Sequence, residues 1–504
     1  MNAESQPESG GPAEPGFKPP TAPPAWAPVV LGAAAGGLGW GIRGQYGHET
    51  GAMIAGLLVS LTWVLLLFRH APGPIAIRAV AWATVAMGWG GAMTYGQTVG
   101  LTHDQALVGH VDALRWGLLG LAIKGSVWIG FAGLFLGMAV GGVRYRPLEL
   151  AGLFAGMLVL AYIGIRLLNE PFDPARRLLP RVYFSADWRW NPDADLKPRR
   201  EIWGGLLFAL VGAILHTALA RRDRIAVRLA GWGMLGGALG FPAGQSLQAF
   251  HAWHLPWFRS GALAGIDPLI NWWNFMETTF GAVFGAVLGF GVWRCLRSPA
   301  STARFRETGS HHGDPFPHSA PPQRPPWLDV GLFLVGVHTV LLLAAELGSN
   351  PVLERYTDLP LVMGILPVIA AALSFRAAWL VALPVTVLPI ALKTVRRLVQ
   401  EDPTVAPALG WFVYGILPVG IALALAVRFA STTRSAGTLT GTLRASLAFA
   451  TATFFALNFA FFRYPWPWEA WTTRTPNAVV FTVCATALLV LAWKAGRGRA
   501  APGQ

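Results

Sequence analysis

METTFGAVFGAVLGFGVWRCLR, residues 276–297, decides the fold. After Glu277 it runs apolar to Trp293, with glycine at 281, 285 and 289, and closes on Arg294 and Arg297. A helix needs ~20 apolar residues to cross the ~30 Å hydrocarbon core of a bilayer. Small residues at spacing four let helix backbones approach closely in lipid. The stretch therefore reads as a transmembrane helix carrying one carboxylate. Gly133, Gly137 and Gly141 form a second such ladder.

The whole chain repeats this pattern. Of its 504 residues 54% are hydrophobic and only 13% charged, with mean hydropathy +0.47. A soluble domain carries about 25% charged residues. The expected class is an all-α polytopic membrane protein with about 14 spans. The apolar segments are 27–42, 50–68, 76–96, 113–143, 147–168, 201–220, 225–250 and 268–295, then 328–347, 358–374, 377–394, 406–428, 445–462 and 476–494. Residues 1–25, rich in Pro, Gly and Glu, read as a disordered cytoplasmic tail. An eight-helix domain (26–297), a cytoplasmic Pro/Ser/His linker (298–326), a six-helix domain (327–495) and a short tail (496–504) follow.

The net charge of +14 reads as a topology signal, not as a nucleic-acid surface. Arginines gather on one side of the predicted spans, which the positive-inside rule makes cytoplasmic, with both termini there. A bacterial inner (plasma) membrane is the expected location. Lys393, Arg396 and Arg397 are the exception: they fall on the opposite side, partly balanced by Glu401 and Asp402. Cys295 and Cys484 lie far apart and read as packing residues. The linker histidines His311, His312 and His318 read as part of a polar connector rather than a metal site.

A period of about 76 residues runs through the first half. Glu49, Lys124, Glu201 and Glu277 are spaced by 75, 77 and 76, and each precedes an arginine by twenty: Arg69, Arg144, Arg221 and Arg297. Gly44-Gln45, Gly96-Gln97 and Gly244-Gln245 form a second recurring element, with Asn169 in the third unit. The expectation is four tandem helical hairpins in one orientation, each closing its odd-numbered helix on an amide and placing an ionisable residue at a matched outer depth.

Ionisable residues inside membrane helices are expensive and face a bundle interior or a wet cavity. Glu277 and Lys124 sit well inside their helices, and an ion pair between them is one expectation. Glu49 and Glu201 suit first turns, where a carboxylate complements the helix dipole. Arg43 has no basic neighbours, so it reads as an anion-binding group or as the partner of Glu49 or Glu277. Five histidines (His48, His103, His110, His251 and His254) fall in the outer loops without a strong metal motif, so no metal or cofactor is expected. The loop 169–200 mixes Tyr183, Asp187, Trp188, Arg189, Trp190, Asn191, Asp193 and Asp195, which suits a polar ligand or an interfacial helix. In the second half, His338 and Glu346 share a helix face, and Pro367, Pro384, Pro389 and Pro418 bend helices. Residues 463–469 read as an aromatic interfacial turn.

The function expected first is a transporter for a polar or anionic small solute, proton-coupled through Glu277. Its outward-facing cavity is lined by Arg43, Gln45, His48, Glu49, Gln97, Lys124, Glu201, Gln245, His251 and Glu277. The alternative is a membrane transferase or hydrolase acting on a lipid-linked substrate at the outer face. A channel with a ring of three Glu and one Lys is a third.

Overall fold

The structure, a computed structural model, describes residues 23–44, 46–68, 71–297, 329–348, 350–401, 403, 405–432, 436–463 and 470–495. Gln45, Arg69, the linker histidines, most of both tails and residues 464–469 lie outside them. The first part comprises α1 (Trp26–Arg43), α2 (Thr50–Leu67), α3 (Gly73–Gly88), α4 (Gly96–His103), α5 (Val111–Val140), α6 (Pro147–Leu168), α7 (Trp203–Leu215), α8 (Arg224–Trp253) and α9 (Trp272–Leu296). The second comprises α10 (Val330–Leu347), α11 (Pro351–Asp358), α12 (Pro360–Leu373), α13 (Phe375–Glu401), α14 (Pro407–Thr432), α15 (Ala436–Phe462) and α16 (Thr475–Lys494). Among the described residues the only extended pairing is one isolated bridge, Asp173 with Leu178.

The chain is thus all-α, with 11 described helices long and apolar enough to cross a membrane, or 12 if α11 and α12, bent by 86°, form one broken span. α1 and α8 are not among the 11. Glycine and polar residues dilute their hydropathy, although both pack inside the bundle.

Six helices close a cycle: α1 packs on α2, α2 on α3, α3 on α5, α5 on α8, α8 on α9 and α9 back on α1. The glycine ladders make two of these seams. A methyl group on Gly36 or Gly281 would meet the other's carbonyl oxygen, and Gly285 lies as close to Gly32. Gly125 and Gly237 do the same between α5 and α8, and Gly133 and Gly137 meet the backbone of Leu229 and Ala226. With no side chain between them, backbones approach closely enough for dispersion to hold the seam without a hydrophobic driving force.

Large rings fill what the glycines leave. Trp40, Trp63, Trp82, Trp89, Trp128 and Trp379 are among the largest fully buried side chains. These six indoles lie in the bundle interior rather than at helix ends facing the interface. Some of these indoles need a glycine neighbour: a Cβ on Gly90 would strike Trp128, and one on Gly364 would strike Trp89. Trp40 of α1 and Trp128 of α5 are not cycle neighbours, yet their rings lie 5.0 Å apart across the interior. The cycle encloses a packed core at this level.

The second part leans on one side of the cycle: α13 on α2 and α3, α15 on α2 and α16 on α1. Trp82 Nε1 donates to the carbonyl of Val368 at 3.0 Å. Pro384 sits in a π turn, Val381–Val385, and Thr386 Oγ1 bonds the Val381 carbonyl at 3.0 Å. The wider turn gives room to the proline ring.

Candidate functional site

Arg43 is the last residue of α1, where a cation complements the helix dipole. Its side chain is fully buried. Nη2 donates to Glu277 Oε1 at 3.0 Å and to Tyr95 Oη at 2.5 Å, and Nη1 lies 2.9 Å from His48 Nδ1. The guanidinium lies 4.7 Å from the Trp40 ring, 5.3 Å from Trp128 and 5.4 Å from Tyr95. A cation taken out of water is held here by one carboxylate and three π faces. Its Nε finds no acceptor in the protein.

Glu277 is buried on the second turn of α9. Besides Arg43, Oε1 accepts from Tyr95 Oη at 3.2 Å and Trp273 Nε1 at 3.3 Å. Asn274, on the same helix, donates to the Gly41 carbonyl at the end of α1 and accepts from Asn477 of α16 at 2.7 Å. This ties α1, α9 and α16 around the pair. The Tyr95 hydroxyl also lies 3.5 Å from His48 Nδ1. His48 is exposed, in the loop between α1 and α2. Packing against the cluster, then the nearby cations Arg43, Lys393 and Arg199, pull its pKa down to about 3. It is therefore neutral at pH 7. With Nδ1 accepting from Arg43, the ring proton belongs on Nε2.

The second ion pair is Lys124 with Glu201, 2.7 Å apart and fully buried. All three ammonium donors are used: Thr94 O at 2.6 Å, Thr98 Oγ1 at 2.7 Å and Glu201 Oε1. The carboxylate is equally full. Oε1 also accepts from Ser185 Oγ at 2.8 Å, and Oε2 from Phe184 N and Trp203 Nε1, both at 3.1 Å. Thr94 and Tyr95 are consecutive, so one extended segment after α3 touches both ion pairs.

These pairings correct one expectation and meet another. Lys124 pairs with Glu201 rather than Glu277, and Glu277 pairs with Arg43. The loop 169–202 is not an interfacial helix: its only regular element is the turn Pro174–Arg176. Tyr183, Phe184, Ser185 and Asp187 are buried, and the loop folds over the Lys124–Glu201 pair. Backbone groups of Phe184 have a better partner in that carboxylate than in a helix on the surface.

The remaining candidates scatter. Glu49 stands just before α2 without a capping hydrogen bond. Gln97 opens α4 and clasps the long loop, donating to Lys197 O and accepting from Arg199 N, both at 2.9 Å. Gln245 lies inside α8 and donates to Thr102 Oγ1 at 2.7 Å, whereas Asn169 caps α6 and accepts from Gly204 N at 2.9 Å. The amides do not close equivalent helices, so that element of the hairpin repeat does not recur in three dimensions. His251 belongs elsewhere, 2.7 Å from Asp267 and stacked on Trp272. His103 bonds the Val99 carbonyl and His110 caps α5. Among the described residues no three His, Cys, Asp or Glu side chains gather as a metal site.

Sequence reasoning missed Tyr95, Trp40, Trp128 and Ser185. Tyr95 stands directly before the Gly96-Gln97 element, and Trp273 one helical turn before Glu277; these were the available signals. Comparison with known protein families, curated proteins and solved structures returns no match to this chain.

Proposed function

We propose that this is a proton-coupled membrane transporter for a small anionic solute, with Glu277 carrying the proton and Arg43 as its counter-charge. One observation supports the reading above others: the buried Arg43–Glu277 pair is joined through Tyr95 Oη to the exposed His48. A hydroxyl that can point to either Glu277 or His48 gives a proton a route between the loop surface and the carboxylate. Protonating Glu277 removes its charge and leaves Arg43 a buried cation without compensation. Such a cation draws an anion, and its unbonded Nε offers a donor. Proton and anion then bind together, which is the coupling a symporter needs. The saturated Lys124–Glu201 pair has no such spare capacity and serves as the structural node.

The fuller topology belongs to the same proposal. Counting α1, α8 and the bent pair gives fourteen spans, with both termini on the cytoplasmic side of a bacterial inner membrane. The four-hairpin period rests on the spacing of the ionisable residues alone.

The test is uptake into proteoliposomes under an imposed pH gradient, with a panel of labelled small anions. Gradient-driven uptake by the wild type and its loss in Glu277→Gln are expected. The amide oxygen of that variant still accepts from Arg43, Tyr95 and Trp273, and a thermal unfolding scan in detergent checks that it is folded before uptake is measured. Gradient-driven uptake that survives Glu277→Gln would sink the assignment. Consumption of a lipid-linked substrate without solute flux would establish the transferase or hydrolase reading instead. A solute-independent current would point to a channel, which the Trp40–Trp128 contact across the interior argues against.

A further inference from the structure

The cations that break the arginine asymmetry meet in one place. Lys393, Arg396 and Arg397 from the end of α13, Arg463 after α15 and Arg474 before α16 line a cleft of about 580 Å³ with Glu401, Phe461 and Phe462. Its size suits a small molecule. Among the described residues two carboxylates pair with these cations, and Glu49 lies near Lys393 as well. Glu346 takes Lys393 at 3.0 Å, and Glu401 is shared by Arg396 at 3.2 Å and Arg397 at 3.6 Å. The α13 C-terminus adds roughly half a negative charge. Among the described residues the cleft stays net positive, and one carboxylate serves two guanidinium groups.

Its walls are built rather than incidental. Arg474 lies 3.8 Å over the Phe462 ring, which fixes a guanidinium above an aromatic floor. Arg463 has φ 51°. At the end of a helix this left-handed conformation favours glycine, and a residue with a Cβ pays about 1 kcal/mol for it. Arginine there is a poor choice for the backbone and a good one for a charged cleft. The cleft also adjoins the Arg43 loop. Lys393 Nζ donates to Tyr46 O at 2.9 Å and to Thr50 Oγ1 at 2.8 Å, and the Tyr46 ring meets Phe461 at 5.2 Å.

We propose that this cleft binds a phosphate-class oxyanion, held by the guanidinium groups of Arg396, Arg397, Arg463 and Arg474. Several planar donors around one volume match the several oxygens of phosphate better than a single carboxylate. Glu401 is the internal competitor that the ligand displaces. The inference does not need the transport reading, because binding is measured without flux.

The experiment is calorimetric titration of the purified full-length protein with inorganic phosphate at low salt. Arg463→Gly removes the guanidinium and weakens phosphate binding about tenfold, with circular dichroism and a thermal scan checking that the variant is folded. Arg474→Gln weakens it similarly. Glu401→Gln, which removes the competitor, tightens binding severalfold. In nanodiscs, competition by phosphatidylglycerol assigns the oxyanion to a lipid head group, and absence of competition assigns it to a soluble phosphate; both outcomes support the site. No binding at tens of millimolar phosphate in wild type and Glu401→Gln alike, or binding indifferent to all three substitutions, overturns it. Loss of proton coupling in Glu277→Gln bears only on the transport proposal.

Discussion

Glu201→Gln changes one charge and almost no volume, and the hydrogen bonds around Glu201 set what it costs. The carboxylate accepts four donors, two at each oxygen: Lys124 and Ser185 at Oε1, Phe184 N and Trp203 Nε1 at Oε2. Glutamine offers one oxygen. If it faces Lys124, its NH2 group meets the N–H groups of Phe184 and Trp203. If it is flipped, the NH2 meets the ammonium. Either way one or two hydrogen bonds are lost and donors face donors in a fully buried site. At about 1.5–3 kcal/mol for each hydrogen bond to a charged group, plus the cost of leaving Lys124 a buried cation without its counter-charge, the loss is about 3–5 kcal/mol, the range for breaking a buried ion pair from one side. Denaturant unfolding in detergent micelles, followed by tryptophan fluorescence, measures it. Lys124→Met should cost a similar amount, because it strands the carboxylate. The double variant Lys124→Met/Glu201→Gln should cost less than the two singles together by about 1–3 kcal/mol, since neither ionic partner remains stranded. A Glu201→Gln protein within about 1 kcal/mol of wild type, or strict additivity in the cycle, would refute the structural role of the pair.

Three further outcomes follow from other parts of the bundle. Gly281→Ala places a methyl against the Gly36 carbonyl and the Trp40 Cβ, so the α1–α9 seam should lose about 1–3 kcal/mol in the same unfolding assay. Gly156→Ala, with open space at its Cβ, should be neutral or stabilising by up to about 1 kcal/mol. His48 gives the Arg43 loop an acid dependence. Its pKa is lowered in the fold to about 3 from 6.5, so the unfolded chain takes up the proton first, and stability present above pH 6.5 is lost progressively as pH falls toward 3. Hydrogen exchange of residues 46–49 should show this acid loosening, and His48→Gln should flatten it.

The all-α, multi-pass architecture was legible because a membrane helix is a local object: bilayer thickness fixes the length of an apolar run, and no partner is needed to recognise it. Local cost also exposed the chemistry. Arg43, Lys124 and Glu277 stand out because charge inside apolar sequence is expensive wherever the helix ends up. Partner choice was a different matter. Arg43 meets Glu277 across 234 residues and Lys124 meets Glu201 across 77, and both follow from the order of helices around the cycle, which composition does not encode. The depth of the tryptophans was hidden for the same reason, since Trp63, Trp89 and Trp128 are buried where other segments present glycines to them. Glycines 281, 285 and 289, the ladder of the stretch read first, announced close packing by themselves. Only the tertiary structure showed that their partner is α1, and that this seam sets Arg43 beside Glu277.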